Sequence, residues 1–467
     1  MELSFAHLAG ILLVLAIIIC ASLYSGRRVR SAADFSTGGR SSSPLVAGAI
    51  MGTLVGGSST VGTAQLAYTC GMSAWWFTLG AGLGCLALAL AYVRPLRATG
   101  CTTLVGIVGK EYGRTADMLA SSLSSLGMFI NIISQLLSAV AVIAVIFPRL
   151  GQWPALLAAA ALMTAYVVCG GVLSASLVGM IKLLLLYLAV AAGALLSLRL
   201  SGGFAQLNAA LDPASSWDLF YRGFGKDAGA GLSLILGVIT TQSYAQAVFS
   251  GRSDRAARRG ALISAVMIPP IGIGGILIGL FMRVNYPELP ARLAFPQFVI
   301  DFLPALPAGM VLATLLIAVV GTGAGLALGI SSIVSKDILP NLPWSGRERA
   351  AASLTFNRGC IVAVLLAACC LSTGALGDVI LNFAFMSMGL RGAVIFVPLT
   401  CALWLPGRVS RRWMTAAILA GPLLTLVCGL LPGFGVDPLF PGIAASAALA
   451  AAGLLAGRRR LRTRLQP

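Results

Sequence analysis

Residues 48–60 read GAIMGTLVGGSST and lie inside a long apolar segment. Glycine occupies every fourth position from Gly48 to Gly56, and three hydroxyl residues follow at 58–60. Glycine weakens a helix, and hydroxyls together with freed backbone carbonyls can coordinate an ion inside a membrane. The pattern therefore predicts an interrupted membrane helix with a binding site at its break. Close helix packing through small residues is the alternative interpretation, and it explains most of the other glycines.

The composition around this stretch excludes a soluble globular protein. Of 467 residues, 58% are hydrophobic and 10% are charged, and the mean hydropathy is +0.95. A soluble domain carries roughly 25% charged residues, because its surface faces water. The chain is therefore predicted to be an all-α, polytopic membrane protein that is surrounded by the lipid bilayer.

Apolar segments of about 20 residues, the length that crosses a bilayer, occur about thirteen times along the chain. The predicted spans lie near 5–24, 44–68, 72–93, 119–147, 153–172, 176–199, 230–250, 260–282, 308–333, 359–374, 379–404, 413–431 and 439–457. The first span is long, and basic residues follow it rather than precede it. These features distinguish it from a cleaved signal peptide. It is predicted to remain as a membrane helix.

The formal net charge of +18 comes from short basic clusters between the apolar segments, such as those at 27–30 and 458–460. With the N-terminus outside, the predicted cytoplasmic loops hold most of the 32 Lys and Arg residues, the distribution that orients membrane proteins. This predicts a multi-pass protein of the cell (inner) membrane with a cytoplasmic C-terminus. No basic stripe with interleaved aromatic residues is present, so nucleic acid is not an expected partner.

The longest predicted outside loop separates two groups of five spans. Because five is odd, the two groups have opposite orientations in the membrane, as in inverted-repeat transporters. The predicted divisions are a first helix and inner loop (1–43), a first repeat (44–199), an extracytoplasmic loop (200–228), a second repeat (229–404), and two C-terminal helices with a basic tail (405–467). Span nine contains Gly321–Gly325 and is predicted to be interrupted like span two.

Short motifs follow one another in a characteristic order along nearly the whole chain. They are Asp34-Phe35, Gly38-Gly39-Arg40, Thr102-Thr103-Leu104 with Tyr112-Gly113, Gly170-Gly171 at the inner end of span five, Gln242, the basic loop of Arg252 and Arg258-Arg259, Ala308-Gly309, and Ser331-Ser332 with Lys336-Asp337. In this order and spacing the chain resembles the sodium/solute symporter family, which includes the proline, pantothenate and sodium/sugar symporters.

The resemblance implies a leucine-transporter-like fold, a 5+5 inverted repeat with extra helices, and cation-coupled symport of a small organic solute. It also implies a sodium site between spans two and nine, formed by backbone carbonyls and by two adjacent hydroxyl residues. The matching positions here are Thr53, Gly56, Ala318, Gly321 and Thr322. Gly321 lacks a hydroxyl, and Gly179 stands where the family has an aspartate. Both differences weaken the implied sodium site.

Lys182 lies one helical turn after Gly179, on the same face of span six. A charged residue at the centre of a membrane helix costs roughly 2.5–3.5 kcal/mol. One interpretation is that its ammonium reaches the inner membrane surface. The other is that the ammonium replaces the cation and couples transport to protons, which defines a sodium-independent or proton-coupled carrier.

Arg391 lies in the middle of span eleven, between Gly389 and Gly392. Its distance from either membrane surface makes contact with water difficult. It either donates to the carbonyls of a broken helix or binds a carboxylate of the solute through its planar guanidinium. The second interpretation favours a carboxylate-bearing solute over a neutral sugar.

Several uncharged polar residues also lie near the predicted midplane. They are Ser58, Ser59 and Thr60 in span two, Asn131 and Gln135 on one face of span four, and Thr240, Thr241 and Gln242 in span seven. Each one alone is typical of an interhelical hydrogen bond. As a group around the midplane, they are candidates for binding the solute.

Other functional classes find little support in the sequence. An enzyme would need a nucleophile–base pair or a metal cluster at membrane depth, but the chain has one histidine and its ten cysteines contain no C-x-x-C pair. A channel or a sensor-type membrane protein is the remaining alternative. The expected ligands are a small-molecule solute and a sodium ion or proton. No other cofactor and no obligatory protein partner is expected.

Overall fold

The computed structural model describes residues 4–26, 41–341, 353–375, 379–431 and 435–464. The motifs at 34–35 and 38–40 lie outside these ranges. Within them the chain is helical and forms no β-strand, apart from one isolated bridge between Ser41 and Gly251. The predicted all-α class is confirmed.

The described residues up to 200 form eight α-helices. They are α1 (Phe5–Gly26), α2 (Ser43–Leu54), α3 (Thr63–Cys70), α4 (Trp76–Ala87), α5 (Val93–Ala98), α6 (Leu104–Tyr112), α7 (Arg114–Ile146) and α8 (Gln152–Leu200). Short π or 3-10 turns join α2 to α5 in sequence, at Ser58–Gly62, Gly71–Trp75 and Leu88–Tyr92. Two small polar side chains cap the starts of helices. The Thr103 side chain accepts the backbone amide of Gly106 at the start of α6, and the Ser253 side chain accepts the backbone amide of Ala256 at the start of the helix Asp254–Asn285.

The rest of the chain forms eleven α-helices within the described ranges. They are α9 (Phe204–Ala209), α10 (Pro213–Trp217), α11 (Phe224–Thr240), α12 (Gln242–Ser250), α13 (Asp254–Asn285), α14 (Ala294–Phe302), α15 (Ala305–Ile333), α16 (Leu354–Ser372), α17 (Ile380–Trp404), α18 (Arg411–Leu430) and α19 (Leu439–Arg464). A π turn at Val334–Ile338 extends α15.

Nine helices of the described chain are long and apolar enough to cross a membrane, or ten when the bent pair of α11 and α12 counts as one. The protein is therefore a multi-pass membrane protein. The count of thirteen spans is not confirmed. Two of the predicted spans fall partly on shorter apolar helices, Phe5–Cys20 and Ser43–Leu54.

The break predicted in span two is present. Helix α2 ends at Leu54, the next residue is extended (φ −87°, ψ 97°), and a π turn begins at Ser58 before α3 continues the span. A second break separates α11 from α12 at Thr241, where the two helices differ in direction by 47°. The two breaks fall in the first span of each predicted group of five.

Two expectations about helix breaks were wrong. Helix α15 is continuous through Gly321–Gly325, because the glycines there serve close packing: a Cβ on Gly325 would lie 2.3 Å from the Cγ2 of Thr53. Helix α8 is also continuous from Gln152 to Leu200, so no loop separates the predicted span near 153–172, which has Gly170-Gly171 at its inner end, from that near 176–199. Glycine alone costs roughly 1 kcal/mol in a helix interior, so a glycine pair does not force a turn.

Helix α15 forms the centre of the bundle. Nearly all of its residues from Val311 to Ile333 are buried, and α1, α2, α7 and α8 pack around it. The break in α2 faces this central helix. The architecture therefore brings the interrupted backbone of one helix against a continuous one in the interior of the protein.

Candidate solute and cation site

The ammonium of Lys182 lies between two backbone carbonyls. Its Nζ donates to the carbonyl oxygen of Gly52 at 2.6 Å and to that of Ala318 at 3.2 Å. Gly52 belongs to α2 and Ala318 to α15, so the lysine on α8 links three helices. The residue is 1% exposed. It points into the protein and does not reach the membrane surface.

Two glycines make room for this lysine. A Cβ on Gly321 would lie 3.5 Å from the Nζ of Lys182 and 3.5 Å from the hydroxyl of Tyr166. A hydroxyl side chain at position 321 would therefore lie next to the ammonium of Lys182 and the phenol of Tyr166. On the other side, a Cβ on Gly179 would lie 2.4 Å from the carbonyl oxygen of Gly48, so α8 approaches α2 very closely.

The predicted cation ligands lie together around the break in α2. Thr53 donates its hydroxyl to the carbonyl of Ala49 in its own helix. The carbonyl that accepts from Lys182 is that of Gly52, one residue before Thr53. Gly56 faces the Oγ1 of Thr322, which would lie 2.4 Å from a Cβ at that glycine. The Thr322 hydroxyl is buried and has no hydrogen-bond partner within the described residues.

A polar network joins the break to α7. The Gln135 side chain accepts the amide of Gly57 at 2.9 Å and donates to the hydroxyl of Ser58 at 2.9 Å. It also donates to the Oδ1 of Asn131 at 3.2 Å, and Ser58 pairs with Ser134 at 2.9 Å. The three predicted members of this network, Ser58, Asn131 and Gln135, are in contact. Because Gln135 satisfies the backbone at the break, it holds the interrupted helix in place.

Three other predicted residues use their polar groups elsewhere. Ser59 and Thr60 donate their hydroxyls to backbone carbonyls of their own segment, those of Leu54 and Gly56. Gln242 accepts the amide of Leu104 at 2.9 Å and donates to the carbonyl of Thr102 at 3.1 Å. These contacts join α12 to the start of α6, away from the network on α7.

Arg391 is fully buried beside the second helix break. Its Nη1 donates to the hydroxyl of Thr241 at 2.8 Å, and its Nη2 donates to the hydroxyl of Ser387 at 3.0 Å. The Arg391 side chain packs against α7 at Gly127, where a Cβ would lie 2.6 Å from the Cγ of Arg391. The guanidinium is therefore fixed at the position where α11 ends and α12 begins.

Neither buried cation has an acidic partner in the described part of the chain. The salt bridges there join Arg97 to Asp254 and Arg222 to Asp227. A buried charge without a counter-ion is costly unless polar groups or a ligand compensate it. Backbone carbonyls fulfil this role for Lys182, whereas Arg391 has uncharged hydroxyl, carbonyl and thioether partners.

The predicted site omitted three residues that the structure places in it. They are Gly52, Ser134 and Tyr166. Ser134 shares a face of α7 with Asn131, so helical spacing could have identified it. Gly52 contributes only a backbone carbonyl, and Tyr166 contacts the site from an apolar segment that carries no motif. The glycine pattern at 48–56 includes Gly52, whereas no signal in the sequence identifies Tyr166.

Side-chain amides join helices at both ends of this interior. At the predicted extracytoplasmic end, the amide of Ile380 donates to the Oε1 of Gln65 at 3.0 Å, and Ser134 donates to the carbonyl of Ile380 at 2.9 Å. At the predicted cytoplasmic end, Gln242 makes the contacts with α6 described above. The polar residues between these ends are enclosed.

No group of three or more His, Cys, Asp or Glu residues that could hold a metal ion is found among the residues that the structure describes. The site therefore consists of hydroxyls, amides, backbone carbonyls and two cations. Groups of this kind bind and release solutes and monovalent ions.

Solved structures of transporters share the fold. The substrate-bound, outward-open structure of a Na⁺-coupled sialic acid symporter has a TM-score of 0.78 at 18% identity, covering 97% of this chain and 98% of that one. Mhp1, a nucleobase-cation-symport-1 family transporter, has a TM-score of 0.59 in a closed conformation, at 13% identity and with 90% and 95% coverage. Its inward-facing conformation has a TM-score of 0.57, at 13% identity and with 92% and 93% coverage. The leucine-transporter-like fold is thereby confirmed.

Sequence comparison assigns the family. No curated protein sequence matches the chain. The model of the sodium:solute symporter family matches residues 35–409, which include both helix breaks, Lys182 and Arg391. The order of motifs, the fold and this match agree: the chain belongs to the sodium:solute symporter family.

Proposed function

We propose that this protein is a secondary transporter that carries a small organic carboxylate across the cell membrane by alternating access, and that the ammonium of Lys182 takes the place of a sodium ion. The observation that carries the proposal is the pair of hydrogen bonds from Lys182 to the carbonyls of Gly52 and Ala318. Carbonyl oxygens of an interrupted helix are the ligands that coupling ions use in this fold.

Proton coupling follows from the chemistry of this group. A protonated lysine offers three N–H donors and a charge, and it holds α2 against α15. Loss of the proton removes the charge and one donor, so the link between the two helices weakens. A proton that binds from one side and leaves to the other can thereby bias which side of the protein opens.

The solute class follows from Arg391. A buried guanidinium surrounded by uncharged partners gains most from a ligand that brings a negative charge. A carboxylate can accept two parallel hydrogen bonds from arginine, and such charge-assisted pairs are about twice as strong as neutral ones. Thr241 fixes the guanidinium at the helix break, where a bound solute contacts both α11 and α12. Binding at this point can therefore influence how the two halves of the broken helix move.

Sodium coupling is the second candidate, because the family is a sodium:solute family. One feature of the site favours it: the Thr322 hydroxyl is buried and unpartnered within the described residues. If the Lys182 side chain moves away, the carbonyls of Gly52 and Ala318 and this hydroxyl form a set of oxygen ligands. Sodium would then compete with the ammonium for the same position.

Uptake of labelled solutes into proteoliposomes under separate gradients decides between the two. A panel of carboxylates, amino acids and sugars is tested with either an inward sodium gradient or an inward proton gradient. The proposal predicts accumulation of a carboxylate driven by the proton gradient and unaffected by sodium. Accumulation driven only by sodium supports the second candidate. Equilibration without accumulation indicates a channel and refutes both.

A further inference from the structure

A groove of about 380 Å³ lies where α5 meets the start of α13, at the predicted cytoplasmic surface. One wall is formed by the π turn before α5 and the first residues of α5, and the other by the first turns of α13. The groove shares no lining residue with the cation site. Its apolar lining residues are Ala89, Leu90 and Val93.

The charged lining residues are strongly biased towards one sign. They are three arginines, Arg94, Arg255 and Arg258, and one acid, Asp254. The acid is already compensated, because its Oδ1 lies 2.7 Å from the Nε of Arg97, which is not a lining residue. The three lining arginines are exposed, and none of them has a salt bridge to another described residue. The groove therefore carries an excess of positive charge that attracts an anion.

The same walls continue into surfaces that face lipid. The spans that contain them cover Ser58–Ala98 and Asp254–Asn285, so the arginines lie at the ends of spans. Leu90 is 58% exposed, and Val266, eight residues after Arg258 and on the same face of α13, is 75% exposed. Apolar side chains exposed on a membrane-spanning helix contact acyl chains. Arginines at the membrane boundary thus lie next to apolar side chains in the hydrocarbon layer.

We infer that this groove binds one anionic phospholipid. Arg94, Arg255 and Arg258 hold its phosphodiester headgroup, and its acyl chains lie against Leu90 and Val266. Guanidinium groups bind phosphate oxygens through paired, charge-assisted hydrogen bonds. Basic pockets between membrane helices on the cytoplasmic side bind anionic lipid headgroups in this way. A free phosphate would contact the arginines and leave the apolar wall unused, so a lipid matches the groove more completely.

The bound headgroup would strengthen a junction that the protein already holds with a salt bridge. Arg97 of α5 pairs with Asp254 of α13 and also donates to the carbonyls of Val248 and Phe249, near the end of α12, at 2.9 and 3.1 Å. A phosphate between Arg94 of α5 and the arginines of α13 joins two of the same three helices at the surface. The lipid therefore stabilises the place where α5, α12 and α13 meet.

Native mass spectrometry of the full chain with added lipid tests the preference for an anionic headgroup. The spectra give the affinity for the first bound lipid molecule, with dioleoyl phosphatidylglycerol compared with dioleoyl phosphatidylcholine. Each basic residue near an anionic lipid contributes roughly fivefold to binding. We therefore expect the anionic lipid to bind at least about tenfold more tightly. Equal affinities for the two lipids would overturn the proposal.

Substitutions in the groove locate the site. The triple variant Arg94→Gln, Arg255→Gln and Arg258→Gln should lose the preference for phosphatidylglycerol by about tenfold or more. The corresponding variant with Arg→Lys at the same three positions keeps the charge and should keep most of the preference. The midpoint of thermal unfolding shows that each variant is folded. A lysine variant that binds as poorly as the glutamine variant would contradict recognition by charge.

A matched control removes the same charge elsewhere on the predicted cytoplasmic side. Arg408, Arg411 and Arg412 are also exposed, and none of them lines the groove. Replacing all three with Gln should leave the affinity for the first phosphatidylglycerol within about twofold of the parent. An equal loss in the two glutamine variants would show a general attraction of lipid to a positive surface and would overturn the groove as a site.

Photocrosslinking in nanodiscs provides an independent position. Phosphatidylglycerol with a diazirine on its acyl chain should label peptides that contain residues 86–94 or 262–267, and the groove variant should reduce this labelling. Labelling of these peptides that is the same in the parent and the groove variant would refute the site. Millimolar glycerol 3-phosphate should not compete. Its competition would indicate a site for a soluble phosphate and overturn the lipid. None of these outcomes depends on which solute or ion is transported.

Discussion

The Nζ of Lys182 lies 2.6 Å from the carbonyl oxygen of Gly52, two residues before α2 ends. A carbonyl this close to the end of a helix lacks the amide that would follow in an uninterrupted helix. The ammonium supplies a donor in its place. The lysine is thus both a structural partner of the broken helix and a group whose protonation changes that partnership.

Lys182→Met should abolish proton-driven accumulation of the solute while the protein still folds. Methionine fills a similar volume without a donor or a charge. The carbonyl left without a partner should cost about 1–3 kcal/mol of stability. The measurements are uptake into proteoliposomes and the midpoint of thermal unfolding. Lys110→Met serves as the control because Lys110 is exposed. Full proton-driven uptake by Lys182→Met would show that the ammonium has no role in coupling.

A second change should convert the site. In the Lys182→Met background, Gly321→Ser places a hydroxyl where the ammonium lay, beside the free hydroxyl of Thr322. A Cβ at 321 would have no neighbour closer than 3.5 Å, so the serine fits without strain. We expect uptake by the double variant to be stimulated by sodium. Lys182→Met with Gly321→Ala is the matched control, since it adds the carbon without the oxygen. Equal sodium responses in the two would contradict the prediction.

Thr241→Val should weaken solute binding. The substitution removes the hydroxyl that accepts from the Nη1 of Arg391 but keeps the side-chain shape. A hydrogen bond to a charged group contributes about 1.5–3 kcal/mol, and each 1.4 kcal/mol corresponds to tenfold in affinity. We therefore expect KM for the carboxylate to rise by roughly tenfold or more. Thr240→Val is the control, because that hydroxyl binds only backbone carbonyls of α11. An equal rise in both would indicate a general loss of helix stability.

Gly179→Ala should destabilise the protein. The added methyl would lie 2.4 Å from the carbonyl oxygen of Gly48, so α8 and α2 would have to separate. Overpacking of this kind costs about 1–3 kcal/mol. Gly359→Ala on α16 is the opposite case, because nothing lies within 4 Å of its Cβ position. It should raise stability slightly, by about 0.5–1 kcal/mol. Thermal unfolding in detergent compares the two. Equal unfolding temperatures would show that the close approach of α8 and α2 is not required.

Asp437→Asn should stabilise the protein at neutral pH. Burial raises the pKa of the Asp437 carboxyl, so the folded protein holds this proton more tightly than the unfolded chain. The corresponding stability is present in acid and is lost as the pH rises through the raised pKa. Asparagine carries no charge and keeps an oxygen for the amide of Leu439. The unfolding temperature of the variant should exceed that of the parent at neutral pH, with the difference disappearing below about pH 4.

Asp218→Asn is the control for that experiment, since Asp218 is exposed and its carboxyl accepts a comparable backbone hydrogen bond from Phe220. A lower unfolding temperature for Asp437→Asn than for the parent at neutral pH would contradict the prediction.

Much of the fold was predictable because the membrane imposes strong rules on sequence. Lys182 and Arg391 were identifiable as buried cations because charges are rare in apolar spans. The break in α2 was identifiable because a glycine pair is followed at once by three hydroxyl residues. The resemblance to the family was recognised from the order of several short motifs. No local physical rule requires that order.

Other features depend on contacts that a single sequence does not reveal. Glycine permits both a helix break and the close approach of a neighbour, so Gly321–Gly325 resembled the break in α2 although α15 is continuous. Lys182 donates to the carbonyl of Gly52 and not to that of Thr53, which is one residue further along α2. Which of these two carbonyls faces the lysine depends on how α2 is rotated about its own axis. The break at Thr241 has no glycine beside it and became visible only in the structure.

The side-chain amides of Gln65 and Gln242 join helices at opposite ends of the molecule. A hydrogen bond within a protein contributes roughly 0.5–1.5 kcal/mol, because water replaces it when it breaks. Each of these contacts can therefore be broken at a small free-energy cost when the helices around it separate. A proton or solute molecule that binds more tightly to one arrangement of these helices changes which arrangement predominates.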